Sequence, residues 1–165
     1  MLDAARYITP DTLDLTRYFL GRTFAWGVFQ DRFGTVRRRF SVVIDGTWQG
    51  GTFVMTEAFR NDDGSGERRV WRIDPSHHGR FSATADDVIG RAEGRAHGPE
   101  VSLSYRIRLT VGGRGLVARF DDRMVLIDED TVANRGRVSK FGITLGEVTI
   151  LFRRDAGGGL PRCAA

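Results

Sequence analysis

The fold is decided by residues 100–154, which read EVSLSYRIRLTVGGRGLVARFDDRMVLIDEDTVANRGRVSKFGITLGEVTILFRR. From Val101 to Thr110 apolar and polar residues alternate, which is the period of a strand with one buried face. Glycines at 112, 113 and 115 tolerate positive φ and predict a tight hairpin. Apolar segments follow at 116–120, 123–127 and 148–152, with a turn at 128–130. The stretch predicts an antiparallel meander of strands.

The same pattern extends toward the N-terminus. We predict strands at 23–31, 36–44, 52–60, 68–73, 79–85 and 88–92, with turn signals that include Asp45-Gly46 and the loop 61–66. Turn signals about 8–12 residues apart are typical of sandwiches and up-and-down barrels. Because hairpins dominate and no long crossover is visible, we predict an all-β fold, a single closed antiparallel β-barrel of roughly eight to ten strands. A two-sheet sandwich is the alternative.

The two ends of the chain differ from the middle. Thr9-Pro10-Asp11 can start a short helix with Thr9 as its N-cap. The apolar side of this segment would comprise Leu13, Leu15, Tyr18, Phe19 and Leu20. We therefore predict an N-terminal helical segment or lid at 1–20, a barrel domain at 21–154 and a flexible tail at 155–165.

Composition limits the classes of function. The chain has 165 residues, of which 41% are hydrophobic and 28% charged, as expected for one globular domain. The net charge is +4, but apart from Arg37-Arg38-Arg39 the basic residues are scattered along strands, so no nucleic-acid partner is predicted. No apolar run is long enough for a membrane span, and the N-terminus lacks a signal-peptide pattern. The expected location is cytoplasmic, with envelope association left open if the N-terminus is incomplete.

Signatures of metal, cofactor or covalent chemistry are missing from the sequence. Cys163 is the single cysteine and lies in a glycine-rich tail. His77, His78 and His97 fall in predicted loops without a third ligand at a convincing spacing. No nucleophile motif accompanies them. We predict no metal, no cofactor and no catalytic residue.

Four charged residues share strand faces with apolar and aromatic residues: Arg38, Glu57, Arg69 and Asp122. Buried charges are costly unless they are paired or hydrogen-bonded. This pattern predicts either a paired internal network or a cavity whose polar end receives a ligand headgroup. The candidate ligand-binding residues are Arg38, Phe40, Phe53, Met55, Glu57, Phe59, Arg69, Trp71, Tyr105, Phe120, Asp122 and Met124.

Short motifs in order along the chain carry a family resemblance. They include Asp31-Arg32-Phe33-Gly34, Glu57-x-Phe59, Arg69-x-Trp71, Phe120-Asp121-Asp122-x-Met124 and Lys140-Phe141-Gly142. From about Tyr18 to Arg153 the chain resembles the bacterial domain-of-unknown-function family numbered 3833. The resemblance implies a lipocalin-like strand pattern, in agreement with the barrel, and no assigned biochemistry. The resemblance also implies that some relatives carry an N-terminal export or lipoprotein signal, and we expect none from the pattern at the start of this sequence.

The favoured hypothesis is a non-enzymatic, lipocalin-like binding protein for a small hydrophobic or amphipathic ligand, such as a fatty acid or modified lipid. Arg38 or Arg69 would meet an anionic headgroup, with Glu57 and Asp122 orienting the arginines. One alternative is a barrel enzyme (isomerase, cyclase or hydratase) with Glu57 or Asp122 as general base. Another is a structural barrel with a packed interior and an apolar patch on its outer wall. Peripheral contact with membrane lipid stays open, and the protein is expected to be a monomer or homodimer.

Overall fold

Over the residues that the structure describes, the protein is an all-β barrel with one short helix. The structure, a computed structural model, describes residues 12–111 and 113–154; Thr9, Pro10 and the tail with Cys163 lie outside the described residues. The helix is α1 (Leu15–Tyr18). The strands are β1 (Gly21–Asp31), β2 (Val36–Gln49), β3 (Thr52–Asn61), β4 (Gly66–Pro75), β5 (Arg80–Thr84), β6 (Ala92–His97), β7 (Glu100–Val111), β8 (Arg114–Leu126), β9 (Thr131–Lys140) and β10 (Ile143–Arg154).

Within the described residues, ten strands form one closed meander. Each strand pairs antiparallel with the strand that follows it in sequence, and β10 closes the barrel by pairing with β1. The closing seam runs from Thr23 opposite Arg154 to Asp31 opposite Gly146. The predicted closed antiparallel barrel is confirmed, at the upper end of the predicted number of strands, and the sandwich alternative is wrong.

One turn was wrongly predicted because it contains a glycine. The predicted turn at Asp45-Gly46 lies inside β2, where Gly46 pairs with Met55 of β3. A Cβ at Gly46 would collide with the carbonyl oxygen of Phe19. This glycine therefore allows a close backbone approach within a strand rather than a reversal of the chain.

The other differences concern β6, β8 and β9. Residues 88–91 of the predicted strand at 88–92 lie in a loop, whereas Ala92 begins β6. Strand β6 also includes His97, which was predicted to lie in a loop. The segments 116–120 and 123–127 belong to the single strand β8, apart from Ile127. Strand β9 was not predicted, because Asn134 and Gly136 interrupt the apolar row that faces inward on it.

Helix α1 covers one end of the barrel. It begins after Asp14, whose carboxylate accepts hydrogen bonds from the backbone N–H groups of Thr16 and Arg17, so Asp14 is the N-cap of the described helix. Phe19 follows the helix and packs edge-on against Phe152 with ring centroids 5.3 Å apart. In the described ranges, no helix is long and apolar enough to cross a membrane.

The strand pairing divides the interior into two halves. We call the end that carries α1 and the turns at 50–51, 76–79, 98–99 and 127–130 the closed end, and the opposite end the open end. Apart from Thr23, the inward side chains nearest the closed end are buried and apolar. They form a core that includes Phe19, Ile44, Phe53, Ile73, Phe81, Val101, Leu126, Val132 and Phe152.

Candidate functional site

A cluster of charged side chains lies inside the barrel, on the open side of the apolar core. Glu57 of β3 and Arg69 of β4 are directly opposed in the sheet and both face inward. Arg69 Nη1 lies 3.7 Å from Glu57 Oε2, and Arg69 Nη2 lies 2.9 Å from Asp87 Oδ2. Arg69 Nε also donates to Asp87 Oδ2 at 2.9 Å. The guanidinium therefore binds Asp87 tightly on one side and keeps its Nη1 in a long, weak contact with Glu57.

The carboxylate of Glu57 accepts a hydrogen bond from a neutral side chain. Trp71, which faces inward two residues after Arg69, donates from its indole Nε1 to Glu57 Oε2 at 3.2 Å. The side chain of Glu57 keeps 13% of its surface exposed. Removal from water disfavours the charged carboxylate more than Arg69 and Trp71 favour it, and this balance raises the pKa of Glu57 to about 7.

A second polar group lies on the facing wall. Asn134 Nδ2 of β9 donates to Asp122 Oδ1 of β8 at 3.0 Å. The hydroxyl of Tyr105 on β7 lies near the Asp122 carboxyl. Burial raises the pKa of the Asp122 carboxyl and of the Tyr105 hydroxyl. The Oδ1 atom of Asn134 is buried and has no hydrogen-bond partner within the described residues. If the side-chain amide of Asn134 is rotated by 180°, its Oδ1 atom faces Asp122 and can accept a hydrogen bond from a protonated Asp122 carboxyl. Burial of Asp122 favours this protonated form.

A glycine on β9, Gly136, leaves space inside the barrel for the carboxyl group of Asp122. Gly136 is the residue directly opposite Asp122 in the sheet, and both face inward. A Cβ at Gly136 would collide with Asp122 Oδ1. The carboxyl of Asp122 therefore occupies the space that any other residue at 136 would fill.

Aromatic rings surround both polar groups. Tyr105 stacks on Phe120 and meets Trp71 edge-on, in both cases with ring centroids 5.3 Å apart. The Arg69 guanidinium lies 5.5 Å from the centroid of the Phe59 ring, within range of a cation–π contact. These inward aromatics are half-buried rather than buried, with the exception of Trp71.

A loop completes the wall beside Arg69. Strands β5 and β6 are short, and the gap that they leave between β4 and β7 near the open end is filled by the loop 85–91. Its backbone bonds to β7: Ile89 N–H donates to the carbonyl of Arg106 at 2.9 Å, and Arg108 N–H donates to that of Asp87 at 2.8 Å. This pairing holds Asp87 where its carboxylate reaches Arg69.

The structure brings together most of the predicted site residues. Seven of them form the two polar groups and their aromatic surroundings: Glu57, Phe59, Arg69, Trp71, Tyr105, Phe120 and Asp122. Phe40 joins them through Phe59, at 5.9 Å between ring centroids. Met124 is half-buried and packs against the apolar core.

Three predicted site residues lie elsewhere. Phe53 and Met55 belong to the buried core toward the closed end. Arg38 is in the inward row of β2 but at the barrel mouth, where its side chain is 48% exposed and pairs with Glu67 at 3.4 Å. Alternation correctly predicted which face these side chains occupy, whereas their depth in the barrel depends on the whole sheet.

The site also contains residues that the sequence prediction missed. Asp87 was overlooked because it lies in a loop, and Asn134 and Gly136 because β9 was not predicted. A usable signal for β9 exists: Val132, Asn134, Gly136 and Val138 occur at every second position.

The histidines take no part in this site. His77 and His78 lie in the turn between β4 and β5 at the closed end, and His97 ends β6. The described residues bring no three metal-ligating side chains together.

The fold and the site define a class of protein: a closed ten-stranded antiparallel barrel with a charged cluster inside it. Residues 3–154 match the model of the family described as protein of unknown function (DUF3833), so the chain belongs to that family. No curated protein matches the chain.

Proposed function

We propose that this barrel binds a small amphipathic molecule in the open half of its interior. The observation that carries the proposal is the solvent access of inward-facing side chains. Glu57 and Arg69 point into the barrel, yet their side chains keep 13% and 16% of their surface exposed. Solvent therefore enters the barrel from the open end and reaches the charged cluster.

The polar end of such a ligand would meet Arg69 and Glu57. Among the described residues, the Nη1 atom of Arg69 makes no contact shorter than its 3.7 Å contact with Glu57, so it can still donate a short hydrogen bond. With a pKa of about 7, Glu57 is partly protonated near neutral pH and can donate as well. Together these two groups suit a headgroup that accepts hydrogen bonds, such as a carboxylate or a phosphate ester.

The apolar part would lie against the half-buried side chains between the cluster and the open end. Phe40, Phe59 and Phe120 face inward there and are half-buried. An apolar lining with a few convergent polar groups is the usual composition of a small-molecule site. A fatty acid or related lipid has the matching distribution of apolar chain and polar end.

The first test is native mass spectrometry of the protein purified without detergent, followed by extraction and identification of any bound molecule. A titration with dansyl-labelled undecanoic acid then compares the wild type with Phe120→Ala, Arg69→Gln and the control Arg38→Gln. We expect the first two variants to weaken probe binding about tenfold or more, because they remove apolar contact or the headgroup donor, and the control to bind like the wild type. Circular dichroism of each variant checks that the barrel is folded. A wild-type protein that carries no ligand and does not bind the probe would overturn the proposal.

Catalysis is the second candidate function, and one observation favours it. The carboxyl of Glu57 has a pKa of about 7 and lies beside a guanidinium in a half-enclosed space, the environment of a general acid or base. If wild-type protein converts the extracted ligand, we expect Glu57→Gln to lower kcat at least about a hundredfold. Turnover that is unchanged when Glu57 and Asp122 are both replaced by their amides would rule out this mechanism.

A further inference from the structure

Two neighbouring turns at the open end expose large apolar side chains. Phe33, in the turn between β1 and β2, is 77% exposed, and Phe141, in the turn between β9 and β10, is 93% exposed. The turns are close because β1 pairs with β10, and Arg32 N–H donates to the carbonyl of Leu145 at 3.0 Å. Ile143 begins β10 and is 58% exposed. We call Phe33, Phe141 and Ile143 the apolar rim.

A phenylalanine at position 141 does not suit the backbone conformation of its turn. Its φ is 50° and that of Gly142 is 78°, so two consecutive residues adopt positive φ, as in a type I′ hairpin. Asn, Asp or Gly suits such a position, whereas a bulky side chain is strained there. The ring is also left in water. Neither the backbone nor the core accounts for this phenylalanine, whereas burial against a second surface would.

Positive charge surrounds the apolar rim. The Arg32 guanidinium carbon lies 4.8 Å from the centroid of the Phe33 ring, and Lys140 Nζ lies 5.3 Å from that of Phe141. Phe141 also lines a groove of about 440 Å³ on the barrel wall, together with Arg106 and Val117. Across residues 12–111 and 113–154, Arg32, Arg106 and Lys140 form no ion pair.

Most carboxylates of the open end lie on the other side of the barrel. They are Asp62, Asp63 and Glu67 around the hairpin between β3 and β4, and Asp86 and Asp87 in the loop 85–91. On the side of the apolar rim, Asp31 is bound by Arg37 at 2.6 Å, Asp121 by Arg119 at 3.0 Å and Glu147 by Arg135 at 2.7 Å. The surroundings of the apolar rim therefore carry a net positive charge, which favours a negatively charged partner.

We propose that the apolar rim, with Arg32, Arg106 and Lys140, docks onto the surface of an anionic lipid membrane. Aromatic side chains are stable at the boundary between headgroups and acyl chains, and nearby basic residues gain from the negative surface potential. Two copies of the barrel meeting at this rim would bring like charges together, which disfavours self-association. Docking turns the open end of the barrel toward the lipid. It does not depend on a ligand inside the barrel, because these side chains lie at the rim.

The test is co-sedimentation of the full chain with sucrose-loaded vesicles of phosphatidylcholine, with or without about one third phosphatidylglycerol. We expect wild-type protein to pellet with the anionic vesicles and to be released by high salt, because exposed charges are then screened. The double variant Phe33→Ser/Phe141→Asn should bind at least about tenfold more weakly. Arg106→Gln and Lys140→Gln should each weaken binding about fivefold.

Folding of these variants is not at risk, since both phenylalanines are exposed and Asn suits positive φ. The matched control is Ile127→Ser, which removes an apolar side chain that is 49% exposed at the closed end and should leave binding unchanged. Equal binding of the double variant and the wild type would overturn the proposal, as would binding indifferent to phosphatidylglycerol. The proposal would also be overturned if the wild type bound no vesicles and sedimented as a dimer in ultracentrifugation while the double variant sedimented as a monomer. The apolar rim would then be an interface between copies of the protein.

Discussion

The two halves of the barrel interior are filled in different ways by the same strands. On β3, Phe53 lies toward the closed end and is fully buried, whereas Glu57, four residues later, is partly reached by solvent. The closed half is a packed apolar core, and the open half combines half-buried aromatics with carboxyls and Arg69. This difference indicates that the closed half supplies most of the stability and that the inward side chains of the open half stay accessible to solvent.

The largest expected effect compares one phenylalanine from each half. Phe53→Ala should lower the free energy of unfolding by about 3–5 kcal/mol, because the closed half cannot collapse around the lost ring. Phe120→Ala should cost about 1–2 kcal/mol, since its ring is half-buried. Urea denaturation of both variants provides the measurement. Equal losses would contradict the division into a packed half and an accessible half.

The next effect concerns Glu57 and pH. Because folding raises its pKa from 4.5 to about 7, the folded protein holds this proton more tightly than the unfolded chain. The resulting stability is fully present below about pH 4.5 and is lost as pH rises through about 7, a change of about 3 kcal/mol. Glu57→Gln lacks this contribution. Denaturant unfolding at about pH 4.5, 6 and 8 should show wild type losing stability relative to Glu57→Gln, and a constant difference would mean that Glu57 ionises normally.

A smaller effect is expected from the glycine beside Asp122. Gly136→Ala places a methyl group against Asp122 Oδ1 and should displace the carboxyl from Asn134, at a cost of about 2 kcal/mol. Gly115→Ala is the matched control, because a Cβ there meets no atom of the described residues within 4 Å. Thermal unfolding of the two variants checks the prediction. An unchanged melting temperature for Gly136→Ala would show that Asp122 moves aside freely.

The smallest effect distinguishes the mouth from the interior. Arg38 and Glu67 are each about half exposed and 3.4 Å apart, so Arg38→Gln should change the free energy of unfolding by no more than about 0.5 kcal/mol. Urea denaturation at neutral pH measures this change. A loss of several kcal/mol would mean that Arg38 contributes to the interior network in a way that its exposure does not suggest.

The part of the candidate site that lies on strands could be predicted from the alternation of apolar and polar residues. Glu57, Arg69 and Asp122 were expected on the faces that also carry Trp71 and Phe120, and all five face inward. Alternation follows from the pleat of a single strand and needs no knowledge of its neighbours. The contribution of Asp87 could not be predicted in this way, because the pairing of its loop with β7 depends on the shortness of β5 and β6.

What the sequence by itself determined is the all-β class, the meander of hairpins and the inward row of each strand, because these depend on residues that are near one another in the chain. Only the tertiary structure decided how deep each inward residue lies. Arg38, Glu57 and Phe53 all face inward, yet they lie at the mouth, in the charged cluster and in the packed core. Depth depends on the register of ten strands and on the helix that covers one end, and these are set by contacts between residues far apart in the sequence.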